Sequence, residues 1–167
     1  MYQKHDFCSW CGTKFPAGSQ FPRTCVHCKN VTYLNPTPVA VLLQPIQEGG
    51  ILLIERGIPP HIGKYALPGG FIDMGETWQQ AAARELHEET GIQVPASGIQ
   101  LFDVASANHV LLLFAWNKPI SAELLTGFQP TAETTSLKIA SQPEELAFPL
   151  HTAALRKFFE IYQIQKR

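Results

Sequence analysis

The chain has 167 residues, with thirteen Lys and Arg against fourteen Asp and Glu and a formal net charge of -1. That length suits one full hydrophobic core plus a small appendage, and the even charge balance lacks the cationic field that nonspecific nucleic-acid or membrane-surface binding requires, which argues against nucleic acid as a partner. The longest apolar runs, "VAVLL" and "VLLLFAW", are strand-sized and "MYQKHDFCSWCG" has no leader pattern, so the expectation is a soluble cytoplasmic protein with no membrane partner.

All four cysteines fall within the first 28 residues, as the pairs Cys8/Cys11 and Cys25/Cys28 flanking "GTKFPAGSQFPRT". Without a secretion signal a disulfide framework is a poor reading. Each C-x-x-C pair can offer two thiolates from one tight turn, and two such turns make the closed tetrahedral shell of structural Zn2+, so residues 1–34 read as a zinc ribbon. His5 and His27 lie beside the pairs and read as bystanders, because four thiolates complete the shell. The competing reading is four buried or redox-active thiols without metal. So short a segment buries little core, and the metal supplies its folding energy.

Pro36 and Pro38 in "NPTPVA" block helix and mark an extended linker, placing the boundary near Asn35 and the main domain at residues 35–167. "PVAVLLQPI" and "ILLIERG" flank the Gly-containing "QEGG" and predict a β-hairpin. "KYALPGGFID" is extended and ends in glycines. "IQLFDVAS", "HVLLLFAWN" and "TTSLKIA" are further strands. In the tail, Ala154, Leu155, Phe158, Phe159, Ile161 and Tyr162 are spaced for an amphipathic helix.

Between these strands Thr77 can cap a helix running through "WQQAAARELHEET" to a stop at Gly91. Glu85, Glu88 and Glu89 share one face of it, with Ala82, Ala83 and Leu86 turned toward a sheet. The acids repel each other and oppose the helix dipole, each at a few tenths to about 1 kcal/mol, and Arg84 alone cannot neutralise three of them. A solvated acidic face is the bland reading. The missing basic i,i+4 partners of Glu85 and Glu89 and the "LPGG" turn just upstream favour a site for a hard divalent cation and a polyphosphate, with Gly69 and Gly70 allowing close backbone approach.

This stretch resembles the signature of the Nudix hydrolase family, G-x5-E-x7-R-E-U-x-E-E-x-G-U with U aliphatic, at Gly70, Glu76, Arg84, Glu85, Leu86, Glu88, Glu89, Gly91 and Ile92. The resemblance implies an α/β class fold: a Nudix-type α/β/α sandwich with a mixed sheet, preceded here by a small N-terminal zinc ribbon. It implies hydrolysis of a nucleoside diphosphate linked to another moiety, a small-molecule nucleotide diphosphate, with FAD, ADP-ribose and NADH as candidates. Mg2+ or Mn2+ would be the catalytic cofactor, held by Glu85 and Glu89 with Glu88, the Gly69 carbonyl and Glu76, while Arg84 orients Glu85. The general base would come from the helix or from Glu133 in a later loop. Arg56 is either a phosphate contact or a surface ion pair. Tyr65 stands where many relatives carry Trp, and Asn108 and His109 either touch a base or ribose or form a turn.

A zinc ribbon joined to such a domain is similar to the NADH, FAD and ADP-ribose pyrophosphatase groups, which leaves a homodimer open. The NADH enzymes carry S-Q-P-W-P-F-P-x-S soon after the box, and this chain does not; its "SQP" at Ser141 to Pro143 continues "EELAFP" instead. That departure counts against NADH specificity. The alternative function is a non-catalytic nucleotide sensor or an RNA-associated protein.

Overall fold

The structure, a computed structural model, describes residues 5–165, with side chains through Ile161, so the Tyr162 side chain lies outside the described residues. The chain divides into two units, residues 1–36 and 37–167.

In the first unit β1 (Arg23–Thr24) pairs antiparallel with β2 (Val31–Thr32). Each cysteine pair forms a tight turn. Gly12 N–H donates to Cys8 O at 3.0 Å and Lys29 N–H to Cys25 O at 3.0 Å, with Gly12 and Lys29 at left-handed φ of 72° and 62°. Little apolar material holds this unit together: its core is Cys8, Phe15 and Cys25, with Cys28 packed against them. Arg23 adds a brace, donating to Ser19 O and His5 O at 2.9 Å each while its guanidinium lies 4.1 Å from the Phe21 ring centre.

The second unit is built on two sheets. One is four-stranded and mixed, in the order β6 (Gly69–Phe71), β3 (Thr37–Leu43), β8 (Val110–Trp116), β7 (Gln100–Ala107), with β3 parallel to β8 and the outer pairs antiparallel. The other is antiparallel, in the order β5 (Tyr65–Ala66), β4 (Ile51–Arg56), β9 (Thr134–Ala140). Period-two alternation sends neighbouring side chains to opposite faces. From β3 and β4, Ala40, Leu42 and Leu52 join Ala81, Ala82 and Leu86 of α1 (Trp78–Thr90). Their neighbours Val41, Leu43, Ile51 and Leu53 join Ala154, Leu155, Phe158 and Phe159 of α2 (Pro149–Gln165). The two helices therefore cover opposite faces, giving the α/β/α sandwich. Each fully buried leucine contributes roughly 1.5–3 kcal/mol, so both layers carry the fold.

The predicted hairpin forms only at its base: residues 44–46 run antiparallel to residues 50–52, with a bridge between Pro45 and Ile51 and Leu52 N–H donating to Gln44 O at 2.9 Å. β3 and β4 are consecutive but lie in different sheets, joined by a turn in which Ile46 N–H donates to Gly50 O at 3.0 Å. Along β3 itself both edges are already occupied, by β6 and β8, so the antiparallel pairing with the start of β4 extends no further back than Gln44. Asn108 and His109 form the two-residue turn between β7 and β8, Asn108 at φ 38°. Tyr65 packs as a β5 core residue, with Lys138 Nζ 4.9 Å from its ring centre. Among the described residues no helix is long and apolar enough to cross a membrane.

Candidate active site and metal centre

The helix α1 is fixed at both ends by local chemistry. Thr77 Oγ1 accepts from Gln80 N–H at 3.2 Å while Gln80 Oε1 accepts from Thr77 N–H at 2.7 Å, a reciprocal capping box. At the other end Gly91, at φ 77°, donates to His87 O at 2.7 Å. With Ala81, Ala82 and Leu86 buried, the rotation of the helix is set, and Glu85 and Glu89 are turned toward β6.

There the glycines become explicable. A Cβ on Gly70 would overlap the Glu85 carboxylate, and one on Gly69 would overlap Ala40 O of the neighbouring strand. Only a bare backbone lets the helix acids, β6 and β3 come together in this way. Gly69 N–H donates to Glu89 Oε2 at 2.9 Å.

Arg84 organises the rest. Its Nη2 and Nε reach both oxygens of Glu76, at 2.7 and 3.2 Å, its Nη1 reaches Glu85 Oε1 at 2.7 Å and Glu88 Oε2 at 3.1 Å, and Nη2 also donates to Phe71 O at 2.9 Å. One guanidinium thus binds three of the acids, which its planar fork of donors permits. Glu76 is further held by Asp73 N–H at 2.8 Å, so its carboxylate is occupied as a brace, and the Arg84 hydrogen bonds hold it below the usual carboxylate range. Glu88 is the exposed member, its side chain 56% accessible.

Glu89 is the acid Arg84 does not reach. Burial pushes its pKa up to about 8, with the Gly69 N–H opposing and the neighbouring Glu85 charge adding to the rise. Glu85 is also raised, chiefly by burial, with Arg84 pulling the other way. The charge of Glu133, in the loop before β9, adds to the rise at both Glu85 and Glu89, as the smallest of the causes. Its position is tied to β4 through Gly57 N–H, which donates to Glu133 O at 2.7 Å. Arg56 likewise reaches Glu89 with its charge.

The donor chemistry here fits a hard cation: several carboxylate oxygens, one of them on a buried acid whose proton a divalent ion would displace. In the first unit the fit is to a softer ion. All four cysteine sulfurs lie within 4.8 Å of one another, and the Cys8–Cys28 and Cys11–Cys25 sulfurs are 3.7 and 3.6 Å apart, near the edge of a tetrahedron with ~2.3 Å Zn–S bonds. This is the one group of three or more His, Cys, Asp or Glu donors that converges so closely among the described residues, and neither His5 nor His27 belongs to it. Thr13 hydrogen bonds hold the Cys11 thiol down to about 5, favouring the thiolate.

Two features were not legible beforehand. Glu55 accepts from Thr135 Oγ1 and Ser136 Oγ at 2.7 and 2.8 Å across the β4–β9 ladder, a pairing no linear spacing reveals. The Phe148 ring lies 5.1 Å from the Arg56 guanidinium, and the signal for it was only the phrase "EELAFP". A groove of about 560 Å3 beside β9, lined by Leu125, Phe128 and Leu137 among others, includes none of the predicted site residues.

Comparison with known proteins gives a match to the NUDIX domain over residues 35–162. The chain is 32% identical over 147 residues to the NAD-capped RNA hydrolase NudC of Salmonella typhi, covering 87% of this chain and 51% of that protein. It is 37% identical over 95 residues to NudC of Edwardsiella ictaluri, covering 56% of this chain and 36% of the other. The chain thus spans about half or less of the length of these curated relatives. Among solved structures, a NUDIX hydrolase from Nitrosomonas europaea superposes with a TM-score of 0.67 at 28% identity, covering 93% of this chain and 90% of that one. NrtR from Shewanella oneidensis shares the fold, with a TM-score of 0.58 at 21% identity over 75% of this chain and 63% of its own.

Proposed function

Because the chain belongs to the Nudix hydrolase family, we propose that it hydrolyses the diphosphate bond of a nucleoside diphosphate linked to a second moiety, releasing a mononucleotide. FAD, ADP-ribose and NADH are the candidate substrates. The similarity to proteins named NAD-capped RNA hydrolase adds an NAD-terminated RNA to the same chemical class.

The observation that carries this reading is the division of labour around Arg84, which braces Glu76, Glu85 and Glu88 while Glu89 stays buried against Gly69 with no cation bonded to it among the described residues. Glu85, Glu88 and Glu89 with the Gly69 carbonyl would hold Mg2+ or Mn2+, which supplies charge stabilisation on phosphoryl oxygens and a lowered pKa for the attacking water. Arg84 orients Glu85 through the 2.7 Å ion pair, and Glu76 keeps Arg84 in place. Arg56, at the end of β4, presents a positive charge to a bound diphosphate. Glu133, close enough to act on Glu85 and Glu89, is the loop candidate for accepting the proton of water. The cysteine unit, residues 1–34, holds Zn2+ through Cys8, Cys11, Cys25 and Cys28 as a structural site.

The test is a panel of FAD, ADP-ribose, NADH, NAD-terminated RNA and nucleoside triphosphates with Mg2+ or Mn2+, read as released mononucleotide. Glu85→Gln should lower kcat by roughly a hundredfold or more on whichever substrate is cleaved. Turnover of none of these, or unchanged turnover in Glu85→Gln, sinks the proposal.

A further inference from the structure

Arg56 ends β4 with its guanidinium already held. Nε donates to Pro60 O at 2.8 Å, and Nη2 lies 3.4 and 3.5 Å from the carbonyls of Ile58 and Pro59. The Phe148 ring centre is 5.1 Å from the guanidinium carbon, within cation–π range. Nη1 has no hydrogen-bond partner among the described residues.

The ring is itself fixed. His61 meets it edge-on at 5.4 Å, and His151 lies 5.0 Å away on another side. His151 in turn rests on the buried Phe114 of β8, at 5.7 Å. Phe148 O accepts from Thr152 N–H at 3.1 Å in the first turn of α2, so the backbone that carries the ring cannot drift. A continuous packed path therefore runs from the core strand β8, through His151, to a ring against Arg56. Arginine is a long side chain with much rotamer freedom to lose on binding, and holding it beforehand removes that loss from the binding step.

We propose that Phe148 is a positioning residue for phosphate recognition: together with the carbonyls of residues 58–60 it fixes the Arg56 guanidinium, leaving Nη1 for a phosphoryl oxygen. The inference rests on the reading above that Arg56 meets the diphosphate. It assigns a role to the π face of Phe148 and not merely to its volume. Leucine would fill similar space without a ring quadrupole, whereas tyrosine would keep one.

Titration calorimetry of the full chain with inorganic pyrophosphate and Mg2+ tests this without requiring the true substrate. Phe148→Leu should weaken binding about three- to tenfold, and Phe148→Tyr should stay within about twofold of wild type. Arg56→Gln should weaken it at least as much as Phe148→Leu, and adding Phe148→Leu to Arg56→Gln should change little further, because the ring acts through the guanidinium. Normal binding by Phe148→Leu beside weakened Arg56→Gln, or losses that multiply in the double variant, overturns the role of Phe148 alone. Normal binding by Arg56→Gln overturns the diphosphate contact of Arg56 and this inference with it. Should Phe148→Leu fail to melt cooperatively, Phe148→Met, which also lacks the ring, is judged by the same outcomes.

Discussion

Replacing Glu89 by Gln should make the protein more stable in the absence of Mg2+ and Mn2+, and increasingly so as pH rises. Glu89 is buried, and its pKa stands near 8 in the folded chain against 4.5 for the ordinary carboxyl. Between those values the unfolded chain releases a proton that the folded chain keeps. The unfolded state then binds fewer protons, so stability falls as pH rises from about 4.5 to 8 and levels off above. At ~1.4 kcal/mol per pKa unit the loss is at most about 3.5 kcal/mol by pH 7 and about 5 kcal/mol above pH 8. Gln carries no titrating proton and can still accept from Gly69 N–H. If relaxation and water entry leave about half of the effect, Glu89→Gln should melt on the order of 5–10 °C above wild type at pH 8.5, with little difference at pH 4.5. The measurement is thermal unfolding across that pH range, without chelator so that the cysteine site is undisturbed, followed by addition of Mg2+. Mg2+ should raise the wild-type melting temperature at pH 8.5 and leave the variant unchanged. A variant no more stable than wild type at pH 8.5, or a difference that does not grow with pH, would refute the claim that Glu89 is held as a desolvated acid awaiting a cation.

Other substitutions probe the remaining groups. His151 has the opposite sign: burial holds its pKa down to about 3, so the unfolded chain takes up a proton first, and stability is lost as pH falls from about 6.5 toward 3. His151→Phe, which also removes a buried Nδ1 with no hydrogen-bond partner among the described residues, should flatten the acid limb of the unfolding curve, and an unchanged acid midpoint would count against the assignment. Arg84→Lys keeps the charge but loses the fork that spans Glu76, Glu85 and Glu88, and should reduce kcat roughly tenfold or more with a smaller change in KM, checked by steady-state kinetics on the substrate found in the panel. Cys25→Ser should lower bound zinc, measured by elemental emission, from about one ion per chain to near none and open residues 1–36 to proteolysis, since its few packed residues cannot hold the unit alone.

Why the helix and its acids were readable while their partnerships were not follows from the range of the interactions. Thr77, Gln80 and Gly91 act within one turn, and local spacing is what a linear sequence displays. The same holds for the cysteine pairs, each closed by its own turn. The hairpin around residues 47–49 was readable from its turn, but its shortness was not, because the sequence does not show which neighbours have already filled the edges of β3. Gly70 announced only freedom from a side chain. That the space it leaves belongs to Glu85, fifteen positions on, emerges when β6 and α1 are packed together. Phe148 and Arg56 are farther apart still, on separate elements, and nothing periodic links them.

The helix acids looked anomalous because one guanidinium seemed too little for three of them. In the folded chain Arg84 is indeed shared three ways, but one of its partners is Glu76 from the preceding loop, and the helix acid left out is Glu89. Five carboxylates, those of Glu76, Glu85, Glu88, Glu89 and Glu133, stand against the two guanidiniums of Arg84 and Arg56, a formal charge of -3 when all are ionised. Burial reduces this by holding Glu89 protonated up to about pH 8, at the expense of stability above its ordinary range. One further lysine would reduce the formal charge only to -2. On the proposed function, leaving the charge uncompensated would retain affinity for a compact divalent cation shared with an anionic substrate, and Glu85 and Glu89 do face the glycine backbone of β6 rather than solvent.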